Sequence, residues 1–150
     1  MTLREKHESW VRDLGSVGDG QERLALIVRR GREGEPMPAA FRTEAHLIPG
    51  CLSRLWFAAE MREGRCRFWC DSDSAVVKGV ASLLCGFYSG ATPGEILAHE
   101  GDVLAEAGIQ HHLTLNRRQG LGHLRTRIHQ FASQNRQEGE WNAGETCENR

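Results

Sequence analysis

The strongest constraint on this chain is a change of hydrophobic period near its middle. Within Leu52 to Met61, the residues Leu55, Phe57, Ala59 and Met61 fall at alternate positions. After Arg62-Glu63-Gly64, Cys66, Phe68 and Cys70 alternate with Arg67 and Trp69. A period of two buries one face of a strand, and two such runs across turn residues predict an antiparallel hairpin. Asp71-Ser72-Asp73-Ser74 then supplies helix-capping side chains. Val76, Val77, Val80, Ala81, Leu83, Leu84, Phe87 and Tyr88 follow, interrupted by Lys78 and Ser82. A helix apolar on most of its sides has to be buried, so this segment is expected at the centre of the fold.

The flanking segments read as helices. Trp10 and Leu14 share a face of a first helix, which ends in the glycine-rich loop from Gly15 to Gly20. Leu24, Ile27 and Val28 line a second helix that Gly31 and Gly34 are expected to end, ahead of a Gly/Pro connector over 31–40. Residues 45–48 offer a weak third strand. Thr92-Pro93-Gly94-Glu95 combines a cap residue, a proline at the first helical position and a glutamate three after the cap, which predicts a short helix to His99. Another short helix spans Val103 to Ala107. Asn116 is the expected cap of a last helix carrying Leu121, Leu124, Ile128 and Phe131. The fold class is therefore α+β, with helices packed on one face of a small antiparallel sheet.

One domain is expected over residues 1–131, and the polar segment 132–150, with Trp141 as its one large apolar residue, is expected to be a disordered tail. With 150 residues, 39% of them hydrophobic, the chain can bury a core without metals or disulfides. Nineteen Lys+Arg against 20 Asp+Glu leave a formal charge of -1, so no global field would hold a polyanion. Nucleic-acid binding and membrane insertion are disfavoured. The opening residues mix acids and bases with no apolar core, unlike a signal or transit peptide, and a cytoplasmic location is expected.

That location makes the five cysteines thiols rather than a disulfide framework. Cys66 and Cys70 cannot share a metal on a strand. Four residues at about 3.3 Å separate them by roughly 13 Å, against a zinc–sulfur bond of about 2.3 Å. They and Cys85 read as core, and Cys147 as an exposed, silent thiol. Cys51 differs, because Pro49-Gly50 turns the chain directly before it and sets it at a loop tip. Nearby positive charge lowers a thiol's pKa, and His46 and Arg54 are close in sequence. From local pattern alone, Cys51 fits a reactive nucleophile or a small buried hydrophobe. Gly15-x-x-Gly18-x-Gly20 lacks a preceding strand and a Gly-Lys-Ser/Thr ending, which excludes a phosphate loop. Arg117, Arg118, Arg125 and Arg127 make the last helix basic. The first two oppose the dipole preference of a helix start, at some cost in stability.

Four segments together resemble the SufE family of sulfur acceptors, which includes the CsdE branch. They are Pro49-Gly50-Cys51-Leu52-Ser53-Arg54-Leu55-Trp56, Asp71-Ser72-Asp73-Ser74-Ala75-Val76-Val77-Lys78-Gly79, Tyr88-Ser89-Gly90-Ala91-Thr92-Pro93 and Asn116-Arg117-Arg118-Gln119-Gly120-Leu121. The resemblance runs from about Trp10 to Phe131. It implies a fold similar to iron–sulfur scaffold proteins, with Cys51 receiving persulfide sulfur from a pyridoxal-phosphate cysteine desulfurase of the SufS or CsdA kind. The acceptor would stimulate that enzyme and pass sulfur to an iron–sulfur scaffold, without being an enzyme itself or carrying a cofactor or metal.

By the same resemblance Asp71 and Asp73 cap the central helix or hold the cysteine loop, and Arg117 contacts the desulfurase. Leu52 stands where the family usually has a polar residue, and Leu115-Asn116 where it has Pro-Ser. Both departures bear on partner choice. Two alternatives stay open, an iron–sulfur scaffold, which needs several converging thiolates, and an interaction module with an inert cysteine. A homodimer is compatible with either reading. Burial of Cys51 against apolar neighbours such as Leu52 would protect a persulfide and raise the thiol's pKa.

Overall fold

The computed structural model describes residues 1–136. Its only regular strands there, β1 (Leu55–Arg62) and β2 (Arg65–Ser72), form the expected hairpin, in register from Leu55 opposite Ser72 to Arg62 opposite Arg65. The two turn residues, Glu63 and Gly64, have φ of 51° and 80°. Positive φ at both positions gives the primed turn whose twist matches the strands.

One sheet face carries Leu55, Phe57, Cys66, Phe68 and Cys70 into the main core. Against it lies α3 (Ala75–Tyr88), with Val80, Ala81, Leu84 and Phe87 fully buried. Against α3 pack α1 (Leu3–Gly15), α2 (Gly20–Glu33) and α6 (Leu115–Asn135), while α4 (Pro93–Ala98) lies on α6 and α5 (Val103–Glu106) on α1. This is the predicted α+β architecture with its central helix. The opposite sheet face is not bare. Trp56, Ala58 and Trp69 form a second small core with Met37 of the connector and with Phe41 and Leu47 beyond it.

Several boundaries moved for identifiable reasons. Helix α2 continues through Gly31 to Glu33. Gly31 is there for close approach, since a Cβ on it would lie 2.7 Å from Gly79 Cα in α3. The weak third strand reduces to one bridge, Leu47 to Trp56, preceded by a 3-10 turn at Glu44–His46. Thr114, not Asn116, caps α6 by accepting a hydrogen bond from the Arg117 N–H at 3.3 Å. The helix also runs to Asn135 and buries Ala132, so the polar segment begins later than residue 132. The expectations for Trp141 and Cys147 fall outside the described residues.

Candidate functional site at Cys51

The chain reaches Cys51 through the turn at Pro49-Gly50, where Gly50 has φ of 85°. That region is open to glycine and costly for other residues. Behind the turn stands α6: a Cβ on Gly50 would come within 3.3 Å of His123 Nε2. One turn nearer the start of α6, Gly120 is buried and faces the thiol, and a Cβ there would lie 3.1 Å from Cys51 Sγ. The sulfur is thus seated on a helix stripped of its side chain at the contact. Gly120 and His123 were not singled out from sequence. The signal available was glycine inside a helical segment, which lowers helix stability unless close approach requires it.

Cys51 is half-buried, whereas Cys66, Cys70 and Cys85 are buried. It opens into a cleft of about 230 Å³ lined by Leu52, Ser53, Val77, Thr114, Asn116, Arg117 and Gly120. A larger cleft, about 620 Å³, lies between α2, β2 and α3 and does not include Cys51. The smaller one is where the half-buried thiol meets solvent, and that chemistry outweighs volume in choosing between them.

Burial pushes the Cys51 thiol above the ordinary cysteine range. Desolvation disfavours the thiolate, and the two basic residues suggested by sequence are engaged elsewhere. His46 Nδ1 is 3.0 Å from Thr43 Oγ1, and its ring packs on Phe41. The Arg54 guanidinium pairs with Asp73 at 3.0 Å and lies over Trp56. Activation of the thiol is therefore not built into the loop of the isolated chain. Leu52 does not bury the sulfur either, because it is 83% exposed. Gly120 supplies the cover that apolar neighbours in sequence were expected to give.

The two aspartates act as struts. Asp71 sits 3.3 Å from Arg42, just beyond the connector, and 3.5 Å from Lys78 of α3, tying both to β2. Asp73 pairs with Arg54, three residues after the cysteine. The α3 cap is Ser74, which accepts from the Val77 N–H at 3.2 Å. Ser72 Oγ accepts from the Ser74 N–H and donates to the Arg54 carbonyl, linking the start of α3 to the end of the cysteine loop. Arg117 lines the cleft and, among the described residues, enters no ion pair with Asp or Glu.

A helical roof, a tethered loop and one accessible thiol define a cysteine-bearing α+β domain, and comparison with known proteins gives its family. The family profile described as SufE, an Fe-S metabolism associated domain, matches residues 8–132. The chain belongs to the SufE family.

An uncharacterized SufE-like protein of Synechocystis is 31% identical over 103 residues, a match spanning 69% of this chain and 65% of that protein. The chloroplastic quinolinate synthase of Arabidopsis thaliana is 31% identical over 105 residues, spanning 69% of this chain and 15% of the enzyme. The chain covers less than two thirds of the length of either relative. A solution structure of a hypothetical protein from Thermus thermophilus superimposes with a TM-score of 0.72 at 18% identity, covering 87% of this chain and 95% of the other, which is a likeness of fold. No helix among the described residues is long and apolar enough to cross a membrane.

Proposed function

We propose that this protein accepts sulfane sulfur on Cys51 from a pyridoxal-phosphate cysteine desulfurase, stimulates that enzyme by clearing its persulfide, and passes the sulfur to iron–sulfur cluster assembly. The observation that carries this reading is the position of Cys51. It is the one described cysteine that is not buried, it lies in the family's Gly-Cys-x-Ser element, and it opens into a cleft rather than into the core.

The step is a thiol–persulfide exchange. The Cys51 thiol gives up its proton, and its thiolate attacks the outer sulfur of the enzyme's persulfide. The S–S bond of the donor breaks, a new one forms on Cys51, and the donor leaves as a thiolate that takes up a proton. No net oxidant or reductant is consumed. Because burial disfavours the Cys51 thiolate, a donor site that supplies a proton acceptor or draws the thiol out of its seat would speed the step. Arg117, at the cleft and without a carboxylate partner among the described residues, is available to contact the desulfurase. The Asp73–Arg54 pair fixes the end of the loop, and Asp71 braces β2 against Arg42 and Lys78.

Intact-mass spectrometry tests the reading. After incubation with a cysteine desulfurase and cysteine, wild type should gain about 32 Da and Cys51→Ser should gain nothing. Absence of the gain on folded wild type with every desulfurase tried would instead favour an interaction module.

A further inference from the structure

The larger cleft, between α2, β2 and α3, takes no part in the sulfur-acceptor reading. Its volume of about 620 Å³ is lined by apolar groups, among them Ile27, Met37, Phe68, Trp69 and Leu83, together with the cations Arg30, Arg62, Arg65, Arg67 and Lys78. Glu35 is the one carboxylate in that lining. An apolar cavity of several hundred cubic ångströms with convergent polar groups is the usual form of a binding site.

The cations are only partly neutralised. Arg67 pairs with Glu35, Lys78 with Asp71 at 3.5 Å and Arg62 with Glu60 on its own strand, while Arg65 is 3.9 Å from Glu95. Arg30 enters no ion pair among the described residues. The Arg62 and Arg65 side chains are exposed, and ion pairs of that kind are weak enough to exchange for another carboxylate. Two buried donors on lining residues, Trp69 Nε1–H and Arg67 Nε–H, have no acceptor among the described residues. The cleft is therefore rich in donors and poor in acceptors, and an occupant that suits it carries carboxylates around an apolar group.

The sequence holds such a segment. Residues 137–150 contain Glu138, Glu140, Glu145 and Glu148 against a single cation, Arg150, and Trp141 is their one large apolar side chain. Helix α6 delivers this segment beside the cleft. The Phe131 ring meets the Phe68 ring at 5.7 Å, Phe68 lines the cleft, and the helix ends four residues later at Asn135. Arg136 is already extended, with φ of -66° and ψ of 123°. Trp141 follows Asn135 by six positions, a reach of about 20 Å in extended chain.

We propose that the cleft between α2, β2 and α3 is the seat of this chain's own acidic segment, with Trp141 on the apolar lining and Glu138 and Glu140 facing Arg30 and Arg62. Burial of the indole supplies the attraction, and the carboxylates set the register. The tether replaces free association by an intramolecular step with an effective concentration in the millimolar range. Composition alone reads the segment as a disordered tail, because it has no apolar partner of its own for Trp141; the cleft provides that partner. The proposal is independent of sulfur transfer, since none of the residues lining the Cys51 cleft lines this one.

The test labels the full chain with fluorotryptophan and reads its fluorine spectrum, with Trp141 assigned by the signal lost in Trp141→Phe. In wild type that signal should stand apart from the signal of a labelled peptide of residues 137–150, and a soluble paramagnetic agent should broaden it severalfold less. Arg30→Glu/Arg62→Glu should move it to the peptide's position, and adding Glu138→Arg/Glu140→Arg should bring it back. Trp10, which packs on Phe87 away from the cleft, should keep its signal in every variant and so report an intact fold.

A wild-type Trp141 signal at the peptide's position overturns the proposal. So does a displaced signal that the charge reversals leave unmoved. Displacement that vanishes on dilution would place the segment on a second copy of the chain and overturn the intramolecular seat as well.

Discussion

Cys51 and Gly120 are in contact across the loop–helix boundary, and the contact leaves no room for a Cβ: one placed on Gly120 would be 3.1 Å from the sulfur. The side chain missing from α6 is what lets the thiol sit half-buried. Gly120→Ala should push the sulfur outward by a few tenths of an ångström and make Cys51 alkylate a few-fold faster, measured with iodoacetamide and peptide mapping. Alanine gains about 0.8–1 kcal/mol of helix propensity over glycine. The steric cost is offset, and the melting temperature should stay close to that of wild type. Unchanged alkylation would mean that Gly120 is not the cover.

The same burial gives a pH signature. Desolvation raises the Cys51 thiol, so its thiolate fraction at neutral pH should lie below that of free cysteine. The alkylation rate of Cys51 in the isolated protein should rise with pH along a curve displaced to higher pH than that of a cysteine peptide. Desulfurase, present in excess and blocked at its own cysteine, should move the curve back toward neutral pH. A curve at or below the peptide's would show that charge already activates the thiol in the free protein.

Much of the fold was legible in the sequence because it rests on periodicity. Alternation through Phe57 and Phe68 and the apolar run from Val76 to Tyr88 leave few other ways to bury those side chains. Ends and caps were less legible, since they depend on which of two neighbouring polar residues meets a free N–H. Thr114 and Asn116 are both good caps, and sequence does not separate them. At the candidate site, Cys51 stood out through its turn and motif. Its seat did not. Gly120 lies 69 positions further on, where tertiary contact alone gives an absent side chain its meaning. The 31–40 segment reads as an extended Gly/Pro connector, although its Met37 joins Phe41 and Leu47 in a second core with Trp56 and Trp69.

Gly31 and Gly79 make a close crossing of α2 and α3 in the same way. A Cβ on Gly79 would meet Val28 Cα at 2.8 Å and the Ile27 carbonyl at 3.0 Å, both backbone atoms that move only with their helix. Gly79→Ala should therefore force α2 away from α3 and cost about 1–3 kcal/mol, read as a lower urea midpoint. At a helical glycine without such a neighbour the substitution stabilises. Gly122, with open space around its missing Cβ, is the control, and Gly122→Ala should raise the midpoint. If both variants shift the midpoint upward, the crossing is looser than described.

A chain of hydrogen-bonding side chains fastens α1 to the α4–α5 region and should make stability depend on pH. His7, almost completely buried, has Nε2 2.8 Å from Glu106 and Nδ1 3.1 Å from His99 Nε2. Every bond is satisfied when the His7 Nε2–H donates to the carboxylate and His99 donates to Nδ1. Burial lowers the His99 pKa below its usual 6.5, and the nearby basic groups His7, Arg4 and His129 lower it further, against a smaller opposing pull from Glu106. A base depressed in the folded state binds its proton more readily when unfolded. This contribution is complete above about pH 6.5 and is lost as pH falls from there toward the folded value. The melting temperature should therefore drop on acidification through that window. His99→Gln keeps a donor for His7 but cannot titrate, and it should flatten the drop. An equally steep drop in that variant would assign the acid sensitivity to other groups and leave His99 a packing residue against Phe87 and Tyr88.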